Sequence, residues 1–393
     1  MKTNRIGLIR VLCLGVMLAA MLAACDDDKV TGSASTPFGD SVVVFPDAGL
    51  EAAIRNELDK PVGDLYLSDL HEIDTLWAIH KGISDLTGIS SLVNVTFLVL
   101  NGNNISSIDP LKYLSNLQFL FLGHNQIIDV SALSQLEHLQ HLFLYGNPIT
   151  DVGPIRNLSR LEFLYLGGNQ FVSAPDLTGL DNLKALWMPN SEIVDISQLA
   201  RLTGLEQLVI SENQIADLGP LTGLYRLKWL DIHRNQVTDL APLAGMDSLR
   251  VLLAYHNLIE STAPLSRLTD LDVLVLAGNP INDLAPITTL VNLTQLQVWS
   301  CHITDIDPLA GMAKLSNLGL SHNQIRNIEP LRRLTKLTSL HLDANQITDI
   351  YPLVRNRGLG RHDEVTLRGN PLSDQSINEH IPALRERGVY VNY

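Results

Sequence analysis

A chain of 393 residues with 46% hydrophobic and only 18% charged side chains can bury a large core, and length alone suggests two or three compact domains. Its formal net charge of -14 makes it a poor partner for nucleic acid, whose phosphates would repel it.

The N-terminal residues carry Lys2, Arg5 and Arg10 and no acid, Val11 to Ala24 are apolar or Gly, and the stretch closes on Leu22-Ala23-Ala24-Cys25. This layout reads as a cleaved export signal over residues 1–24, because its apolar run is short for a transmembrane helix. The ending resembles the bacterial lipobox, which implies that the Cys25 thiol is diacylated and becomes the new N-terminus. The alternative is an ordinary small-residue cleavage site with an incidental Cys. Two or three acyl chains would hold the protein on a membrane, so the expected location is extracytoplasmic, lipid-anchored at the cell surface or periplasmic face of a bacterial membrane. Cys13 leaves with the leader and Cys25 carries lipid, so Cys301 remains as the one free thiol, and neither a disulfide framework nor a paired-Cys zinc site can be built. Residues 25–45 are acidic and rich in Ser, Thr and Gly, as a solvated tether should be.

Residues 46–64 read as an N-terminal helical cap. Pro46-Asp47-Ala48-Gly49-Leu50 opens a helix whose Leu50, Ala53, Ile54 and Leu58 share one face, with Glu51 and Arg55 paired four apart and Pro61 beyond its end.

From residue 65 to 372 the chain repeats with a period of 22. A clear copy is Leu117-Gln118-Phe119-Leu120-Phe121-Leu122-Gly123-His124-Asn125-Gln126-Ile127, and its second Leu recurs without insertion from Leu76 to Leu340. A further copy, Val365-Thr366-Leu367-Arg368-Gly369-Asn370, follows three extra residues near Arg357 to Arg361. The L-x-L spacing sends two apolar side chains inward from a short strand, and stacking of coils makes a continuous parallel sheet. The recurring Asn, as in Asn103, Asn125 and Asn147, must turn inward where the chain leaves the strand and satisfy backbone groups of the bend. Ser191 and Cys301 replace it in two copies, which gives Cys301 a structural reading in preference to a reactive one.

The other half of each copy reads like Val237-Thr238-Asp239-Leu240-Ala241-Pro242-Leu243. A Pro recurring there excludes long helices, so the convex side should be short 3-10 turns. The whole pattern resembles the internalin type of bacterial leucine-rich repeat. The resemblance implies an α/β repeat solenoid: a leucine-rich-repeat horseshoe of about 14 repeats with a parallel concave β-sheet and short 3-10 turns on the convex side. Residues 373–393 form a C-terminal cap, with Ile377, Ile381 and Leu384 on one face, Gly388 ending it, and Val389-Tyr390-Val391 as a last edge strand. No immunoglobulin-like domain, sorting signal or second anchor is expected beyond it, which departs from the internalin pattern.

A solenoid offers one wide surface, the concave sheet, about 65 Å long here. Its outward positions hold Trp77, Phe97, Phe119, Phe121, His141, Phe143, Tyr145, Phe163, Tyr165, Trp187, Trp229, Tyr255 and Trp299. Rings on neighbouring strands can stack on each other with no ligand. Against that, the inward Leu residues already supply a core, and an aromatic surface open to water calls for something to cover it. The expectation is therefore a site for a protein, peptide or glycan centred on Phe121, Phe143, Tyr145, Phe163, Tyr165 and Trp187. Farther along, the face turns polar at Asp231, His233, Arg234, His256, Gln295, Gln297, His322, His341, Asp343 and Arg368, read as a solvated surface in preference to a metal site.

No phosphate loop, nucleophile elbow or paired acids at a pocket mouth appear, so neither catalysis nor a cofactor is expected. The sequence thus reads as a membrane-anchored recognition module, the alternative being a structural or adhesive envelope protein without one defined ligand. A third reading, from eukaryotic relatives of the repeat that bind a phosphatase inside the cell, conflicts with the export signal. Cys25→Ser should abolish incorporation of a radiolabelled fatty acid and release the protein from membranes; continued labelling would place the lipid elsewhere or refute it.

Overall fold

The computed structural model describes residues 40–393, so the leader, Cys25 and most of the tether lie outside the described residues. Fifteen parallel strands, from β1 (Thr75–Trp77) to β15 (Tyr390–Asn392), form one sheet in strict chain order. The 22-residue period sets the register: Leu76 lies beside Leu98, Leu98 beside Leu120, and so on to Leu318 beside Leu340. These Leu residues and the apolar residue two positions later, Ala78, Leu100 and Leu122 in the first coils, point inward and have no exposed surface. Fully burying one Leu is worth about 1.5–3 kcal/mol, and each coil repeats the contribution against its neighbours.

The chain leaves each strand through a bend whose backbone groups a single coil cannot satisfy. Asn147 shows how two coils do it. Its Nδ2 donates to Leu122 O of the preceding coil at 3.0 Å and to Leu144 O of its own at 2.9 Å, while its Oδ1 accepts the N–H of Ile127 at 3.0 Å. The same three bonds recur at Asn125, Asn235 and Asn345. Where the Asn is missing, Ser191 Oγ donates to Pro189 O, and Cys301 Sγ reaches Leu276 O at 3.7 Å. Burial pushes the Cys301 thiol up, as a structural role requires.

Just before the ladder Asn the backbone turns left-handed, with φ of 53° at His124, 54° at Arg234 and 52° at Ala344. A Cβ in that conformation costs about 1–2 kcal/mol. Glycine relieves the cost in some coils, and at Gly146 it does more: a Cβ there would lie 2.5 Å from the His124 ring, which uses the space.

On the convex side 3-10 turns such as Ser131–Gln135 and Ala241–Leu243 carry the chain back. The repeated Asp opens them, as when Asp129 Oδ1 and Asp239 Oδ1 accept the N–H two residues on at 2.8 Å. The coil between Leu166 and Leu186 lacks such a turn. There Ser173 replaces the Asp, Pro175 arrives one residue early, and Ser173 instead bridges to Asp195 in parallel. The three extra residues near Arg357 are absorbed by a true helix, Tyr351–Arg355, followed by buried Asn356, whose Nδ2 donates to Leu331 O at 2.8 Å and Leu334 O at 3.1 Å.

Both ends of the core are closed. Helix α1 (Ala48–Glu57) buries Leu50, Ala53 and Ile54 against the first coil. Its cap, Asp47, accepts from Gly49 and Leu50 on one oxygen and from Ser84 and Asp85 on the other, tying helix to solenoid. At the far end a π-helical turn, Ser376–His380, runs into the helix Ile381–Glu386, which covers the last coil with Ile381 and Leu384. Arg385 Nη2 donates to Val391 O at 2.8 Å and so occupies part of the open edge of β15.

Asn147→Ala would leave the Ile127 N–H buried without its acceptor, while Leu122 O and Leu144 O keep the amides of Asn125 and Asn169. One unpaired buried donor costs about 1–3 kcal/mol, and the substitution should destabilise the protein by that order. A denaturant midpoint equal to that of wild type would show that the ladder is dispensable.

Candidate recognition face

The outward residues of each strand fall in columns that run along the solenoid, with neighbours one strand spacing, about 4.8 Å, apart. That spacing is close to the centroid separation at which aromatic rings stack, so consecutive aromatics in a column must touch. They do. Phe121 lies on Phe143 at 4.3 Å and 12°, Phe119 lies on His141 at 4.7 Å and 16°, and Phe143 meets Tyr165 edge-on at 6.5 Å; between columns, Tyr145 stacks on Tyr165 at 4.7 Å and 23°. Phe97 joins Trp77, Phe119 and Phe121 at 5.3–5.4 Å, and Phe163 and Tyr165 meet the Trp187 ring edge-on at 5.0 and 5.5 Å. Gly123 is required beneath this ladder, since a Cβ there would run into the Tyr145 ring.

The expectation of an aromatic surface open to water is corrected by this geometry. Phe97, Phe119, Phe121, Phe143, Phe163 and Trp187 retain only 3–8% of their surface, because each ring covers the next. They form a second core on the outside of the sheet, distinct from the Leu core within it. What reaches solvent is the margin: Trp77 is 40% exposed, and His141, Tyr145 and Tyr165 are half-buried. No Asp, Glu, Lys or Arg occupies a strand's flanking outward positions from β1 to β7 (Gln207–Val209). Charges run beside the face in a separate column, where Lys184 and Glu162, and Lys228 and Glu206, pair across coils at 2.7 Å.

Two polar atoms in the ladder, His141 Nδ1 and Trp187 Nε1, are buried without a hydrogen-bond partner among the described residues. Burial holds the His141 imidazole below its usual pKa; the Glu162 charge opposes this and the Lys184 charge adds to it.

The remaining aromatics stand apart from the ladder. Trp229, Tyr255 and Trp299 are half-buried. Tyr255 stacks flat on His233 at 4.2 Å and 9°, and Trp299 meets His256 edge-on at 5.5 Å. The polar half is also less solvated than its composition suggests. Asp231 and His233 are buried, with His233 Nδ1 2.6 Å from Asp231 Oδ1 and Nε2 3.5 Å from Glu212 Oε1. Sequence reasoning placed this pair on a solvated surface. Its signal was the i, i+2 spacing on one strand exit, with Tyr255 one period after His233. His341 engages Ser339 at 3.0 Å, and Asp343 accepts from Thr366 at 2.7 Å.

These contacts make Trp187 unequal to the other tryptophans. Trp187→Ala should cost about 3–5 kcal/mol by opening a cavity in the ladder, whereas Trp187→Phe removes an unpaired donor and should cost far less. In single-Trp variants acrylamide should quench Trp77 readily and Trp187 poorly. Equal quenching of the two would contradict the ladder.

Comparison with known proteins follows the fold. The family model "Leucine Rich repeats (2 copies)" matches residues 93–135, 115–157, 137–182 and 313–355. An internalin (inlF) from Listeria monocytogenes is 35% identical, with 80% of this chain and 94% of that one covered and a TM-score of 0.76. A leucine-rich-repeat protein of Leptospira interrogans is 24% identical, over 79% of this chain and 82% of its own, with a TM-score of 0.73. A plant peptide hormone receptor, RGFR1, in complex with RGF2 is 21% identical over 72% of this chain and 49% of its own, with a TM-score of 0.60. Among curated proteins no match is found.

Proposed function

The chain belongs to the internalin-type leucine-rich-repeat family, and from that premise we propose that it is a recognition module whose concave aromatic face binds a protein or peptide partner. The observation that carries the reading is the face itself: a charge-free run of strands whose rings are already packed, with Trp77, Tyr145 and Tyr165 left at its margin. Such rings lose little conformational freedom on binding, and Tyr and Trp are enriched at binding hot spots. The half-buried phenols add polar tips that fix a partner's orientation. The plant receptor offers a precedent in fold alone for a peptide held by such a solenoid. Partner contact then falls on the ring edges and on Trp229, Tyr255 and Trp299, not on the ring faces within the stack.

We place the module outside the cytoplasm, held on a bacterial membrane by acyl groups at Cys25 with the acidic segment after it as a tether. A glycan partner is an outcome the same face allows. The second reading, a structural or adhesive envelope protein, draws support from the self-stacking, which stabilises the sheet without any ligand.

The two readings part on substitutions at the margin, since Trp187→Ala confounds binding with unfolding. Peptides selected from a displayed random library on the wild-type protein should bind Tyr145→Ala/Tyr165→Ala at least tenfold more weakly, measured at a temperature where circular dichroism shows both proteins fully folded. Undiminished binding, or failure to select any peptide on the face, would favour the scaffold reading.

A further inference from the structure

We propose that His141 is an acid-sensitive latch in the recognition face, whose protonation loosens the ring stack over β3 (Phe119–Phe121) to β5 (Phe163–Tyr165) and weakens partner binding. The inference rests on the binding reading above and adds its regulation. Within the ring columns of the first six strands every other ring is hydrocarbon, phenol or indole; His141 is the one imidazole in them, and His124, edge-on to Tyr145 at 4.9 Å, stands on a bend outside the columns. His141 sits in mid-column, 4.7 Å from Phe119 on one side and 6.0 Å from Phe163 on the other, both near parallel.

Its surroundings do not provide for a cation. Nδ1 is buried without a hydrogen-bond partner among the described residues, so a proton placed there has no acceptor. The charged groups that act on the ring are Glu162, on the following coil, and Lys184, one coil further. These two are joined to each other at 2.7 Å, so the carboxylate is already engaged and the ammonium lies close enough to repel. A π-face attracts an imidazolium, and Phe119 supplies one. Burial outweighs that attraction, consistent with the depressed basicity of the ring.

The sign follows from linkage. A base that is harder to protonate in the folded state binds fewer protons there than in the unfolded chain, so stability falls as pH drops through the range where a free imidazole takes up its proton. The strain can be relieved by letting the imidazole leave the stack, which opens a gap between Phe119 and Phe163 and removes support from Phe163 and the rings packed on it, Phe143 and Trp187.

The test compares wild type with His141→Phe, which keeps a ring in the column, and with His141→Leu in case Phe overfills it. Thermal midpoints at pH 7.5 and 5.5 should fall further on acidification for wild type than for either variant. Peptides selected on the wild-type face at pH 7.5 should dissociate at least tenfold faster at pH 5.5, and this acceleration should vanish in the variants. Parallel pH dependence of all three proteins, or a wild type that gains stability in acid, would overturn the latch. Peptides held equally at both pH values would overturn it while leaving the recognition face intact. If no peptide is selected at either pH, the recognition reading fails, and the thermal midpoints still decide whether His141 makes the stack acid-sensitive.

Discussion

Everything in this molecule depends on one shortage: a coil of 22 residues cannot satisfy the backbone of its own bend. Asn147 resolves it by bonding simultaneously to Leu122, Ile127 and Leu144, two of which belong to the coil before. A side chain that spans two coils fixes their relative position as well as their stability, so the ladder is what makes the period strict. An inserted residue would misplace the amide and leave several buried groups unpaired. The one place where three residues are added also carries its own remedy, a helical turn at Tyr351–Arg355 and a new buried amide at Asn356.

Strict register has a consequence on the opposite side of the sheet. When every coil repeats at one strand spacing, any side chain type repeated in a column is brought to about 4.8 Å from its copy. Aliphatic side chains then form a ridge, like charges repel, opposite charges alternate as in Glu162, Lys184, Glu206 and Lys228, and rings stack. The geometry that builds the inner core therefore builds the aromatic ladder without further cost in backbone order. It also decides which small residues are needed, since Gly123 and Gly146 give way to the rings of Tyr145 and His124.

The period, the inward Leu pairs, the Asn ladder, the convex turns and both end helices were legible from residue spacing alone, because each is a local rule repeated. The ladder's burial was not. Reading Phe121 or Trp187 as outward-facing was right for the strand and misleading for exposure, since exposure depends on what stands in the same column one coil away. The same reasoning explains Asp231 and His233, polar in composition yet buried against each other and Tyr255. The turn missing between Leu166 and Leu186 had a visible cause, Ser173 for Asp and Pro175 one place early, although a single early Pro does not by itself say what replaces the turn.

A face that is largely core changes how recognition by it should be understood. Replacing a ring inside the stack alters the stability of the sheet and the shape of its surface together, so selection on binding and selection on folding act on the same residues. The coupling is weaker at the margins: Trp77, Tyr145 and Tyr165 keep open surface while standing on buried neighbours. In such an arrangement the buried rings supply rigidity and the marginal ones supply contact. A single ionisable ring stacked between buried ones, His141, then couples the solvent's acidity to the face, because its half-buried ring carries a buried Nδ1 with no hydrogen-bond partner among the described residues.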